Sequence, residues 1–164
     1  MNLPLLQVAL DETSLENAVK SVKQYGHVID IVEVGTILHY AEGAKAVSVL
    51  REMYPNKILL DDIKGADAGK TLAEICFGAG ADTMTAICSA DVNTMIAMKK
   101  VGDSYGSGKD VQVELYGDWT FEHAQSWLDA GLTQVVYHRS RDAELAGQTW
   151  GQSDLDKIAQ LIDM

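Results

Sequence analysis

The chain has 164 residues, 47% hydrophobic and 23% charged, with 14 Gly and only 2 Pro. That mixture supports one packed core and excludes disordered, collagen-like and low-complexity classes. With 13 Lys and Arg against 24 Asp and Glu, the formal net charge is -11, which argues against a general nucleic-acid or anionic-membrane surface, since phosphates demand clustered cations.

Six short β-branched runs alternate with longer amphipathic stretches along the chain. Strands are expected over Leu5–Leu10, Val28–Val34, Lys57–Asp62, Thr83–Cys88, Val111–Leu115 and Gln134–Tyr137. Between them, helical periodicity covers roughly Ser14–Gln24, Glu42–Met53, Gly69–Phe77, Val92–Val101, Phe121–Asp129 and Asp154–Ile162. Strand and helix alternating without hairpin signals means parallel strands joined by crossovers. The strands read as nearly continuous apolar runs, as expected for strands covered on both faces. Thr13-Ser14-Leu15-Glu16 reads as a capping box, and Thr120 and Ser153 as N-caps of the last two helices. Gly78-Ala79-Gly80 and Ala130-Gly131 end helices. Gly102 to Gly108 reads as a flexible loop.

No apolar run nears the roughly 18 residues of a membrane span. Met1-Asn2-Leu3-Pro4 lacks the charged start and apolar stretch of a signal peptide, so a soluble cytoplasmic protein is expected. Cys76 and Cys88 are too few, and too embedded in apolar runs, for a disulfide framework or a zinc site.

Polar residues fall where strands stop: Asp11, Glu33, Asp62, Lys64, Ser89, Asp91, Glu114 and His138. Markers at 11, 33, 62, 88, 114 and 138 are spaced by 22, 29, 26, 26 and 24 residues, one βα unit per step. The carboxyl ends of parallel strands are where such folds place their chemistry. A closed (β/α)₈ barrel needs roughly 200 residues, so length alone favours an open doubly wound sheet.

The segment Asp62-Ile63-Lys64-Gly65-Ala66-Asp67 carries the clearest chemistry. On a strand end Asp62 and Lys64 share a side, and a Lys held between Asp62 and Asp67 stays protonated. A fixed ammonium beside carboxylates can stabilise an enolate or carbanion. Taken alone, this spacing is more often a surface salt-bridge cluster. Glu33 with Asp62 makes an oxygen-rich pair suited to Mg²⁺, which takes one or two protein carboxylates and keeps waters; alone, Glu33 is more often a hydrogen-bonded strand-end acid. In His138-Arg139-Ser140-Arg141-Asp142, a His can relay protons and an Arg can bind a carboxylate; the alternative is a solvated loop with an Arg–Asp pair.

His27, His39 and His123 lack metal-ligand spacing and read as surface or packing residues. Met84, Met95 and Met98 fit the core. Gly78-Ala79-Gly80-Ala81 lies at a helix end and is a poor dinucleotide fingerprint; there is no Gly-x-Ser-x-Gly elbow and no P-loop.

Leu6-Gln7-Val8-Ala9-Leu10-Asp11, Ile31-Val32-Glu33-Val34-Gly35-Thr36 and Asp62-x-Lys64-x-x-Asp67-Ala68-Gly69-Lys70 together resemble the orotidine 5′-phosphate decarboxylase suprafamily. Within it, Val135 to Asp142 and Trp150-Gly151 most resemble the 3-keto-L-gulonate-6-phosphate decarboxylases; the related 3-hexulose-6-phosphate synthases typically carry another residue where Arg141 stands. The resemblance runs in order along the whole chain. It implies a (β/α)₈ TIM-barrel fold, of which residues 1–164 form a single incomplete barrel domain with about six of eight βα units. It also implies a homodimer with shared active sites acting on a phosphorylated keto-sugar acid. Glu33 and Asp62 would hold Mg²⁺, Lys64 would stabilise the enediolate left by CO₂ loss, and His138 and Arg141 would help deliver a proton. Asp11 and Glu114 would contact substrate hydroxyls, and Asp67 would complete the neighbouring subunit's site. The product would be L-xylulose 5-phosphate, in the breakdown of L-ascorbate or a related sugar acid.

The same resemblance implies two further βα units bearing phosphate-binding amides beyond the sixth helix. The sequence ends at Met164, where a seventh strand would begin, so this chain is expected to turn over weakly or not at all. Aldol chemistry of the 3-hexulose-6-phosphate synthase type, or an inactive dimerising barrel fragment, are the alternatives. Asp61, beside Asp62, adds a charge expected to alter local pKa values.

Overall fold

The computed structural model describes residues 3–164; Met1 and Asn2, read above for a leader, lie outside them. Six parallel strands form one sheet in sequential order: β1 (Gln7–Leu10), β2 (Ile31–Val34), β3 (Ile58–Gly65), β4 (Thr83–Ile87), β5 (Asp110–Leu115) and β6 (Gln134–Tyr137). A doubly wound sheet reverses its strand order at a switch point. Here every strand pairs with its sequence neighbour, as in a barrel.

The helices are α1 (Leu15–Tyr25), α2 (Thr36–Glu42), α3 (Ala44–Met53), α4 (Gly69–Gly78), α5 (Val92–Tyr105), α6 (Phe121–Asp129), α7 (Arg141–Leu145) and α8 (Gln152–Asp163). Two of them, α2 and α7, are not apparent from periodicity because seven and five residues show too few turns for a 3.6-residue repeat to emerge. The expected loop from Gly102 is helical as far as Tyr105. There Gly102 meets the Phe77 ring, 3.2 Å from where a Cβ would stand, so close packing with α4 explains the glycine. Two expected caps shift. Ser14, not Thr13, caps α1 by accepting from the Asn17 N–H, and α8 starts after Gly151, whose N–H donates to Asp154, rather than at Ser153. Thr120 does cap α6, with His123 reaching back to the Thr120 N–H.

The strands are less uniformly apolar than their composition implied. The helix-facing rows hold Leu10, Val32, Val34, Leu59, Met84, Ala86, Val111, Val113 and Leu115, all essentially buried. They pack with Val22, Leu38, Leu50, Phe77, Met95 and Met98, so the three methionines singled out above are core. The opposite face carries Gln7, Glu33, Asp62, Thr83, Thr85, Gln112 and Glu114, as the strand registers and two-residue alternation require. Cys76 and Cys88 are both free and buried.

At the amino ends of the strands, Arg51 binds the carbonyls of Lys57 and Gly80 and pairs with Asp82. Asp82 also accepts from the Leu59 N–H and from Lys109, tying β3, β4 and β5 together. Cations and carbonyls here satisfy one another, which leaves the carboxyl ends for chemistry. Among the described residues no helix is long and apolar enough to cross a membrane.

Candidate active site

Asp11, Glu33, Asp62, Lys64, Glu114, His138 and Arg141 line one cavity of about 470 Å³ at the carboxyl ends of the strands. Glu33 aligns with Leu60, two residues before Asp62 on β3, so the two carboxylates share a face on adjacent strands. Glu114 reaches the same space from β5, and His138 follows β6, its N–H donating to the Leu115 carbonyl.

Lys64 is the hub. Its ammonium donates to both carboxylate oxygens of Asp62 at 2.8 and 3.1 Å and to Glu114 Oε2 at 2.6 Å. Burial opposes its charge, but these hydrogen bonds and the two negative charges outweigh it and hold the pKa above that of an ordinary lysine. The expected bracket therefore needs correcting: Lys64 sits between Asp62 and Glu114, not Asp62 and Asp67. Asp67 is exposed outside this cavity, and its carboxylate caps the Ala68 N–H at the start of α4. The chain turns away after Gly65, so spacing along an extended strand could not foretell this.

Lys64 has φ +50°, an uncommon conformation for a residue with a side chain. Pairing between β3 and β4 slips between Asp61 and Gly65. The irregularity is pinned from β4: Thr85 Oγ1 accepts the Lys64 N–H at 3.0 Å and donates to Asp62 at 2.7 Å. Thr36, the first residue of α2, donates to the other oxygen of Asp62. Burial pushes the Asp62 pKa upward, yet hydrogen bonds from Lys64, Thr36 and Thr85 bring it below the ordinary carboxylate value.

Glu33 has the opposite balance. Burial, only partly offset by a 2.6 Å hydrogen bond from Gln7, together with the charges of Asp62, Asp11 and Glu114, raises its pKa to about 7. A divalent cation there would relieve the repulsion. The donor set is all oxygen, which fits Mg²⁺ with waters completing its shell. No cluster of three or more His, Cys, Asp or Glu side chains forms an all-protein metal cage among the described residues. Glu33 and Asp62 are carboxylate donors of the type that Mg²⁺ takes in small number.

His138 has its Nδ1 3.9 Å from Glu114, and burial followed by the Lys64 charge lowers its pKa. Its ring lies 5.4 Å from that of Tyr116, which in turn stands 5.9 Å from the Lys64 ammonium. Arg141 pairs with Asp11 across the mouth. Arg139 points elsewhere: it binds Asp154 at 2.9 Å and stacks over Trp150 at 4.9 Å, fastening α8. Asp142 lies in the first turn of α7, so the loop Arg–Asp pair considered above does not form the site's contact; Arg141 reaches Asp11 instead.

Thr36, Thr85, Gln7 and Tyr116 were not singled out from sequence. The Thr-x-Thr of β4 and the two-residue step from Ala9 back to Gln7 were the available signals, but hydroxyls and amides within apolar runs do not announce a partner.

His27 and His123 are exposed, as expected. His39 is different: its Nδ1 lies 2.7 Å from Asp61 Oδ1, and that bond, against burial, raises its pKa. Asp61 projects from the helix-facing side of β3, away from Asp62, so its charge does alter local pKa values, as expected, but those of His39 and, behind burial, of the Cys76 thiol; it is not among the residues lining the cavity.

Residues 4–164 match the family described as orotidine 5′-phosphate decarboxylase / HUMPS. The chain belongs to this family. Among its members, a 3-keto-L-gulonate-6-phosphate decarboxylase, UlaD, of Escherichia coli is 51% identical over 164 residues, covering 100% of this chain and 75% of that protein. The crystal structure of KGPDC from Streptococcus mutans superposes with a TM-score of 0.97 at 48% identity, over 99% of this chain and 75% of that one. A 3-hexulose-6-phosphate synthase from Salmonella typhimurium gives 0.88 at 29% identity, over 98% and 74%. The fold is accordingly part of a (β/α)₈ barrel, with six of its strands present in this family member.

Proposed function

We propose that this protein decarboxylates 3-keto-L-gulonate 6-phosphate to L-xylulose 5-phosphate and CO₂. The supporting observation is the Lys64 ammonium braced between Asp62 and Glu114 in the cavity, in a chain 51% identical to a protein named for that activity. When bound, Mg²⁺ would be held by Glu33 and Asp62 and would supply positive charge that orients and polarises the substrate's oxygens.

The chain's own groups serve the chemical step. Breaking the bond to the carboxylate releases CO₂ and leaves its electron pair on the sugar as an enediolate. Lys64, fixed and protonated, faces that charge at no cost of reorganisation. A proton must then reach the carbanionic carbon. His138, with a depressed pKa, and Arg141 line the same cavity and would hold the water that delivers it. Asp11 and Glu114 accept from substrate hydroxyls. Asp67, exposed at the start of α4, serves a second copy's site, so a cytoplasmic homodimer with shared sites belongs to this reading, as does a place in L-ascorbate catabolism.

Mg²⁺-dependent CO₂ release from 3-keto-L-gulonate 6-phosphate, at the low rate expected above and with L-xylulose 5-phosphate as co-product, is the expected result. The likeness to hexulose phosphate synthases at 29 to 32% identity supplies the competing reaction. Formaldehyde release from a hexulose 6-phosphate without CO₂ from the keto acid would overturn the proposal in favour of aldol chemistry.

A further inference from the structure

Across the helix-facing side of the sheet, one row reads Leu10, Val34, Asp61, Met84 and Val111. A carboxylate interrupts four apolar side chains. Asp61 is fully buried; Oδ1 meets His39, and Oδ2 makes no well-formed hydrogen bond, with the buried Cys76 thiol of α4 as its weak polar neighbour. A half-satisfied buried carboxylate is costly, and an aliphatic residue would pack there better. Such a violation of core chemistry calls for a compensating role.

Its position indicates that role. Asp61 is the last residue of β3 in register with β2 and the point where register with β4 begins to slip. Three residues on, Lys64 holds its left-handed backbone. Strained backbone persists only where its surroundings over-determine it. On the cavity side, Thr36 and Thr85 grip Asp62. On the outer side, the grip is His39 on Asp61. Thr36 and His39 lie three residues apart on α2, hence on neighbouring positions of one helix face. A single short helix therefore clasps consecutive residues of β3 from both sides.

We infer that His39 and Asp61 form a positioning pair that locks the irregular end of β3, so that Asp62 and Lys64 present their charged groups in fixed register. Neither residue touches the cavity; both act through the strand. The kinetic consequence rests on the decarboxylase reading, whereas the structural consequence does not.

The test compares His39→Ala, Asp61→Ala, their double variant, and the milder His39→Gln and Asp61→Asn in the full chain. Turnover of 3-keto-L-gulonate 6-phosphate with Mg²⁺ and amide hydrogen exchange over residues 61–65 are both measured. Each alanine variant is expected to lower kcat on the order of 10- to 100-fold with KM little changed. The double variant should be no worse than the poorer single one, His39→Gln should recover part of the loss, and the Lys64 amide should exchange faster. Unchanged kcat with a lowered melting temperature, or losses that multiply in the double variant, overturn the inference. Should the alanine variants not fold, the same comparison is made with His39→Gln and Asp61→Asn. Should the parent chain not turn over this substrate, the functional proposal falls alone; unaltered exchange at 61–65 in Asp61→Asn then overturns the positioning role, and faster exchange confined to that segment supports it.

Discussion

Lys64 on β3 and Glu114 on β5 meet at 2.6 Å across the intervening strand β4. The contact places an ammonium where two carboxylates, Asp62 and Glu114, would otherwise repel each other in a site where both are almost entirely buried. Charge balance and chemistry are thus vested in one side chain.

Replacing it should cost both. Lys64→Ala leaves two buried acids facing each other, and breaking such a pair destabilises by about 3 kcal/mol. Loss of a fixed charge at the developing enediolate lowers kcat by about 10²- to 10³-fold. Urea unfolding and steady-state kinetics of the same sample check the two effects separately.

Glu33 gives stability a dependence on pH. Between pH 4.5 and about 7 the folded protein retains a proton that the unfolded chain has released. Stability from this group therefore falls as pH rises through that window, by roughly 3 kcal/mol for the whole rise in pKa. Melting temperatures from pH 4.5 to 7 should show the decline without Mg²⁺, a smaller one with Mg²⁺, and neither slope nor Mg²⁺ effect from this site in Glu33→Gln. An Mg²⁺ response unaltered by that substitution would remove Glu33 from the metal site.

The two neighbouring arginines should separate cleanly. Arg141 is largely exposed and pairs with Asp11 at the cavity mouth, so Arg141→Ala is expected to reduce kcat/KM with little change in stability. Arg139 is mostly buried between Asp154 and Trp150. Arg139→Ala should instead loosen α8 at a cost of about 1 to 3 kcal/mol and leave the chemistry nearer to intact. Thermal melts with parallel assays distinguish the pair.

Gly69 opens α4 where α5 crosses it. A Cβ there would stand 2.1 Å from the Thr94 carbonyl oxygen, and backbone cannot move aside as a side-chain tip can. Gly69→Ala should destabilise by about 1 to 3 kcal/mol, read from denaturant midpoints at unchanged slope.

Mixing separately inactive Lys64→Ala and Asp67→Ala proteins should restore part of the activity if copies share sites, because a mixed dimer contains one site with both residues intact. No recovery after demonstrated subunit exchange would confine the site to one chain and refute the shared-site homodimer.

Much of this was legible in the amino-acid order. β-branched runs and period-3.6 patterns are local, so all six strands and the longer helices could be read directly, as could polar residues falling at strand ends. Asp11, Glu33, Asp62, Lys64, Glu114 and His138 were legible as strand-end residues, Arg141 as part of the segment after the sixth strand, and the family resemblance pointed to all seven as site residues; they share one cavity. What only the tertiary structure decided is who faces whom. The slip in β3 and the left-handed Lys64 swing the ammonium to Glu114, fifty positions away, and leave Asp67 outside. Adjacent Asp61 and Asp62 look alike in sequence, yet strand alternation sends one to His39 and the other to the cavity. Side-chain direction on a bulged strand depends on neighbouring strands and helices, and those contacts exist only once the chain has folded.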